Sequence, residues 1–402
     1  MATLKVFSKT RVKPESVYLN QFERDVTSQS GEDGIIEKIF KIMGVSNNWC
    51  VEFGAWDGKL NSNTWNLLQR KNWSGILIEG NSAKFLDLLA EYQNNNKVIP
   101  VNSYVGMSSE EANALDAILG TYPIPKDFDF LSIDIDGCDW YVWETLANYQ
   151  PRLVVIEFNP TIPNHVYFIQ DQDLSIQQGA SLRALIELGK NKGYELVATN
   201  SWNAFFVRAE EFEKFNIADN TIDAIHDPSQ YESLLFQLYD GRLVLAGYQH
   251  LFWHDMPITQ EDIQILPEKL RFYDDATSNV DNTEIRCADL LILKQALSKY
   301  YADHQAYPTS VGFDGIYTNW GEAKQDWIPG LAPNYLYTLP RDPSNTDQAD
   351  KQYLYRSDGQ DYKLLCHGAE DCSQIAKTTP ELIDPARKSL AYGYWTDGAI
   401  DW

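Results

Sequence analysis

Five carboxylates stand in or just past short apolar runs, where they are poor core residues and useful chemical groups. Glu52 follows Trp49-Cys50-Val51, and Glu79 follows Gly75-Ile76-Leu77-Ile78. Asp134 and Asp136 come after Phe130-Leu131-Ser132-Ile133, and Glu157 after Leu153-Val154-Val155-Ile156. Ionised carboxylates are rarely buried without a partner, so hydroxyls, amides or a cation must meet them. Glu79 lies about 20 residues beyond the glycine turn Gly54-Ala55-Trp56-Asp57-Gly58, the spacing at which a doubly wound fold sets an acid on the hydroxyl pair of a ribose. The two glycines of that turn let backbone come close to a ligand. Asp134 and Asp136 suit the removal of a proton from a substrate hydroxyl. Asp136, Glu157 and the amide of Asn159 are oxygen ligands of the kind Mg²⁺ or Ca²⁺ takes. A plainer assignment stays open, with Asp136 and Asp139 bonding loop amides and Glu157 paired with Arg152 or a lysine. The turn is not G-x-G-x-x-G and lacks the Lys-Ser/Thr of a phosphate loop, and an ordinary strand–turn–helix corner also accounts for it.

These acids work together only if several strands end side by side. Apolar runs predict strands at 50–54, 75–79, 97–101, 128–135, 153–158, 194–199 and 204–207. Helical spacing predicts helices at 62–70, 83–94, 108–119, 140–148 and 181–189 between them. Strands that are apolar throughout are buried on both faces, and strict alternation with helices argues for a parallel sheet covered on both sides. The fold class expected is therefore α/β, a doubly wound, mostly parallel seven-stranded sheet, with 194–199 and 204–207 as an antiparallel hairpin at its edge. If strand 128–135 runs through them, Asp134 and Asp136 share a face. Before the first strand, Ser28-Gln29-Ser30-Gly31-Glu32-Asp33-Gly34 opens an amphipathic helix with acids in its first turn, and Gln29 is placed in a loop over the ligand pocket.

Beyond residue 208 the pattern loosens. A helical pattern covers 230–238 and a strand 243–247. His250 and His254 sit four apart in an aromatic segment, a spacing compatible with a metal on a helix and equally with plain packing. Residues 274–283 read as a linker rich in Asp, Ser and Asn. A helix at 285–301 and turn-rich aromatic sequence after it predict a C-terminal α+β domain, a helix on a small antiparallel sheet. The domains expected are 1–273, with an extension from about residue 209, and 284–402.

With 402 residues and 44% hydrophobic content, the chain has material for more than one core. A formal net charge of -24 makes it a poor binder of nucleic acid or anionic membranes. No run of about 18 apolar residues marks a membrane span, and the first residues lack the apolar stretch of a secretory signal. The expected location is cytoplasmic. Five scattered cysteines make no disulfide framework. Cys366 and Cys372 alone are close enough for a small bridge, which a cytosolic protein normally keeps reduced.

Taken together, Ser28-Gln29-x-Gly31-Glu32-Asp33-Gly34, Val51-Glu52-Phe53-Gly54-Ala55-Trp56-Asp57-Gly58, Ser62-Asn63-Thr64, Leu77-Ile78-Glu79-Gly80, Ser132-Ile133-Asp134-Ile135-Asp136-Gly137, Val155-Ile156-Glu157-Phe158-Asn159-Pro160 and Gly193-Tyr194-Glu195-Leu196-Val197 with Asn203-Ala204-Phe205-Phe206-Val207 resemble the FkbM-type branch of class I S-adenosylmethionine-dependent methyltransferases. The resemblance spans about residues 28–208. It implies S-adenosylmethionine as cofactor, with Gln29, Glu52, Gly54, Ala55, Gly58, Asn63, Glu79, Gly80 and Asp134 around it. Glu79 would hold the ribose hydroxyls and Asp134 the methionine amino end. It implies O-methylation of a saccharide or other small polar acceptor. The residues themselves put Asp134, Asp136 or His165 in catalytic roles, with Glu157 as another proton acceptor and Mg²⁺ as an optional ion on Asp136, Glu157 and Asn159. The family commonly carries Asp-x-Glu-Gly where this chain has Asp134-Ile135-Asp136-Gly137. Residues 285–366, through Tyr307-Pro308-Thr309, Leu339-Pro340-Arg341-Asp342-Pro343 and Tyr353-x-Tyr355, more faintly resemble the periplasmic part of type II secretion major pseudopilins. That implies a protein partner or self-association through this domain. The alternative to an enzyme is a non-catalytic nucleoside-binding module that recruits a partner.

Overall fold

Seven strands form one sheet in the order β3-β2-β1-β4-β5-β7-β6. They are β1 (Trp49–Phe53), β2 (Ser74–Glu79), β3 (Val98–Asn102), β4 (Phe130–Ile133), β5 (Leu153–Glu157), β6 (Tyr194–Thr199) and β7 (Asn203–Arg208). β1 to β5 run parallel, and β7 enters antiparallel between β5 and β6. This is the methyltransferase variant of the doubly wound, Rossmann-like sheet, and the expected fold class holds. The order reverses between β1 and β4, the place where such sheets put ligands. The computed structural model describes residues 4–6, 12–268, 271, 281–344 and 346–402. Most of the expected linker, 274–280, lies outside the described residues.

Side-chain alternation divides the sheet's apolar residues between two cores. Val51, Phe53, Ile76, Ile78, Leu131, Ile133, Val154 and Ile156 face one, against α3 (Leu115–Leu119), α4 (Asp139–Thr145) and α5 (Leu182–Asn191). Cys50, Leu77, Phe130, Leu153 and Val155 face the other, against α1 (Glu32–Met43) and α2 (Ser82–Tyr92). Short helices α6 (Ala209–Phe212) and α7 (Ile222–Ile225) follow β7.

Several expectations fail locally for physical reasons. Of the helix expected at 62–70, only Asn66–Arg70 winds, as a π-turn, because Ser62, Asn63 and Thr64 bond to Glu52 instead. Of 108–119, only α3 is helical; Glu111 holds the Met107 and Ser108 N–H groups in a loop. The helical pattern at 230–238 is in fact strand β8 (Ser233–Gln237), paired with β9 (Leu243–Gly247). The deciding residues are Asp240-Gly241, a hairpin turn with Gly241 at φ +77°. His250 lies in β10 (His250–Leu251), paired with β11 (Met256–Pro257), and His254 in a 3₁₀ turn, so the two never share a helix face.

Near its C-terminal end the chain forms α8 (Asn282–His304), the antiparallel sheet β12 (Gln352–Ser357), β13 (Tyr362–His367) and β14 (Ala391–Trp395), and α9 (Cys372–Thr378). Leu290, Leu293 and Leu297 of α8 pack on Tyr353, Tyr355 and Leu364. The chain divides into two compact units, Met1–Leu235 with Leu245–Thr259 and Phe236–Val244 with Gln260–Trp402. All five cysteines are free thiols; Cys287 is half-buried and the others are buried. Among the described residues no helix is long and apolar enough to cross a membrane.

Candidate active site

The carboxyl ends of β1, β2, β4 and β5 lie side by side, and each delivers a carboxylate. Past β1 the chain turns at Gly54, whose φ is +68°. A Cβ there would stand 1.7 Å from the Asp134 carbonyl oxygen, so the ends of β1 and β4 meet with room only for hydrogen. Gly58 is filled from within as well: a Cβ would stand 2.5 Å from Leu88 and 2.7 Å from Tyr92, and the Tyr92 hydroxyl donates to the Gly58 carbonyl at 2.8 Å. Both glycines therefore serve internal close approach, while the Gly54 backbone stays open to solvent. Ala55 is buried and donates its N–H to the Ile78 carbonyl at 3.1 Å.

Glu52 is buried and turned into the following loop. It accepts from the Asn63 N–H at 2.8 Å and from the Ser62 and Thr64 hydroxyls at 2.6 Å each. The Asn63 side chain donates to Ser132 Oγ at 3.1 Å. Burial pushes the Glu52 carboxyl up, against those three bonds, which favour the anion. Glu79, 6% exposed, accepts from the Trp56 N–H at 2.7 Å on one oxygen and from the Asn81 N–H at 2.6 Å on the other. A Cβ on Gly80 would stand 2.3 Å from the ring of Tyr104, which is 64% exposed just past β3. Sequence reasoning missed Tyr104; its only signal was an aromatic residue two positions beyond a strand end.

Asp134, Asp136 and Glu157 place carboxylate oxygens within 4.8 Å of one another. Strand alternation does not do this, because β4 stops at Ile133. Asp136 takes a left-handed φ of +57°, and the buried Asp139 gathers the Ile135 N–H at 2.8 Å and the Gly137 N–H at 3.0 Å. The loop-amide role left open in the sequence belongs to Asp139. Loss of water, then the like charges of Asp139, Asp136 and Glu52, push the Asp134 carboxyl well above the usual range. Glu157 is raised in the same way, by dehydration and then by Asp134, Asp139 and Asp136. Arg152 is not its partner. That guanidinium bonds Asp129 at 2.8 Å and Glu211 at 2.7 Å at the opposite end of the sheet.

The remaining sequence candidates have partners of their own. Asn159 donates to the Gln178 carbonyl at 3.0 Å, and its oxygen accepts from the Thr161 N–H at 3.0 Å and hydroxyl at 2.6 Å, which pins a loop. His165 is exposed and lines a cavity of about 220 Å³ with Asn164, Arg183, Asp223 and His226; the structure does not bring it to the three carboxylates. Gln29 rides on a strap across the sheet's carboxyl edge. Glu32 holds that strap, accepting from the Gln29 and Ser30 N–H groups at 3.2 and 2.7 Å and from the amides of Asn200 and Asn203 at 2.7 and 2.9 Å. The Thr27 hydroxyl donates to the Ser62 carbonyl at 3.1 Å. The acids that open α1 thus act as loop anchors as well as helix-end charges.

No family model matches the sequence, and no curated protein matches it. Among solved structures, the chain is similar to the N-terminal domain of EvdMO1, determined in the presence of SAH and D-fucose, at 12% identity over 44% of this chain and 80% of that one, with a TM-score of 0.29. It is similar to a SAM-dependent methyltransferase from Aquifex aeolicus at 10% identity, 47% and 95% coverage and a TM-score of 0.29. It is also similar to TYW2 of M. jannaschii in complex with AdoMet, at 16% identity, 43% and 75% coverage and a TM-score of 0.26. The fold assignment rests on the strand order and directions given above.

Proposed function

We propose that the chain is an S-adenosylmethionine-dependent O-methyltransferase acting on a hydroxyl of a saccharide or other small polar acceptor. The observation that carries this reading is Glu79, a buried carboxylate at the end of β2 beside the open Gly54 backbone. Each of its oxygens takes one backbone N–H and keeps a lone pair, which suits the two hydroxyls of a ribose. Asp134, at the end of β4, suits the amino end of the cofactor, and the exposed Tyr104 ring suits its base. When bound, the cofactor supplies a methyl group on a sulfonium.

The chain's own residues then orient and deprotonate. The Asp134–Glu157 pair crowds like charge, which disfavours ionisation of both carboxyls at once. The ionised member, with a raised proton affinity, is a better base for an acceptor hydroxyl than an ordinary carboxylate. Asp136 completes an oxygen set of the type that also holds Mg²⁺. Positioning supplies most of the rate in such a transfer.

Glu79→Ala is expected to abolish binding of S-adenosylhomocysteine in titration calorimetry. Wild-type affinity in that variant would remove the cofactor assignment. Intact binding with no methyl transfer across a panel of hydroxylated acceptors would favour a non-catalytic nucleoside-binding module.

A further inference from the structure

The turn between β6 and β7 sets the Trp202 backbone beside the end of β5, the strand that carries Glu157. The Trp202 carbonyl accepts the Phe158 N–H at 2.8 Å, and Asn203 stands opposite Glu157 in the β5–β7 ladder. From Trp202 a row of rings continues. Its centroid is 4.9 Å from that of Phe252, and Phe252 is 5.3 Å from Trp253, 5.0 Å from Tyr231 and 5.7 Å from Tyr248. Trp202, Tyr231 and Trp253 meet Phe252 edge to face, a geometry that leaves ring faces free for other partners. Trp253 is 59% exposed and Leu251 beside it 50%. An exposed apolar patch of this kind, reached along the rings from the Trp202 turn at the end of β5, marks a binding surface more often than idle surface.

We infer that this aromatic wall is the acceptor subsite and that its occupant is a neutral pyranose. The inference rests on the methyltransferase reading above and deepens it. A pyranose has a face of C–H groups that stacks on an indole and a rim of hydroxyls that donate to carboxylates. The wall offers the first surface, and Asp134, Asp136 and Glu157 offer the second. A formal charge of -24 and three clustered acids repel sugar phosphates and uronates, which sets the anionic sugars aside. Trp253 takes the ring face, and the hydroxyl to be methylated points at the carboxylates.

Saturation-transfer NMR on the full chain tests this with the methyl glycosides of glucose, galactose, mannose and rhamnose, each with and without S-adenosylhomocysteine. At least one glycoside is expected to receive saturation on the C–H protons of a single ring face. Trp253→Ala is expected to weaken its Kd about ten-fold, with Trp253→Phe close to wild type and S-adenosylhomocysteine affinity unchanged in both. Saturation of no glycoside, glycoside binding unmoved by Trp253→Ala, or saturation of tetramethylammonium alone would each overturn the assignment. Because glycosides are also read without the nucleoside, failure of S-adenosylhomocysteine to bind the wild type counts against the methyltransferase reading and leaves the sugar site decided on its own.

Discussion

Asp134 and Glu157 hold their protons more tightly in the folded chain than in the unfolded one. The stability this brings is fully present below the ordinary carboxylate range, about pH 4, and is lost as pH rises through the raised values. At about pH 8 the unfolded chain has released protons that the folded chain still holds, and that difference works against the fold. Asp134→Asn is expected to raise the melting temperature there and to lose that gain near about pH 4. Calorimetric scans across pH check this, and an equal or lower melting temperature at high pH would show that the crowding costs nothing. Glu79 matters through its hydrogen bonds. Both its oxygens already take backbone N–H groups, so removing it loosens the ends of β1 and β2 as well as the proposed ribose contact. Glu79→Gln, which keeps one acceptor oxygen, is expected to bind S-adenosylhomocysteine more weakly than wild type and better than Glu79→Ala.

The elements that carry these side chains depend on close approaches between strand ends. Gly54→Ala puts a methyl against the Asp134 carbonyl at a left-handed φ. It is expected to cost about 2–4 kcal/mol and to lose nucleoside binding; denaturant melts and calorimetry read both. The strands were legible in the sequence because each is apolar on both faces, as Val51 and Cys50 or Ile76 and Leu77 illustrate, and burial on two faces leaves an unambiguous mark. The acids past their ends were legible for the same reason. The loops were not. Ser62-Asn63-Thr64 carries helical spacing, yet a buried Glu52 ten residues earlier takes its donors, and no local pattern reports that. Asp134 and Asp136 do come together, through a left-handed residue and Asp139 rather than through strand alternation. Trp202 and Trp253 lie far apart in sequence, and only the β6–β7 turn and the segment after β9 bring their rings to 6.4 Å of each other.

At the scale of the whole chain, two units carry separate chemistry. Unit one holds every group proposed for methyl transfer. Unit two is centred on Arg286, 1% exposed, which pairs with Asp342 at 2.9 Å, Asp371 at 3.0 Å and Glu370 at 3.3 Å. Arg286→Leu leaves the buried Asp342 and Asp371 without a countercharge and is expected to destabilise that unit by about 3–5 kcal/mol, with S-adenosylhomocysteine affinity unchanged. Lost affinity would mean that the two units share more than a chain. The thiols give each unit its own reporter. Burial pushes Cys50 and Cys138 up in one unit, and Cys287, Cys366 and Cys372 up in the other. In the closed chain these are slow nucleophiles. A maleimide would reach the buried Cys50, Cys138, Cys366 and Cys372 only as fast as each unit opens, and peptide mapping of those sites would time the two openings separately in one tube.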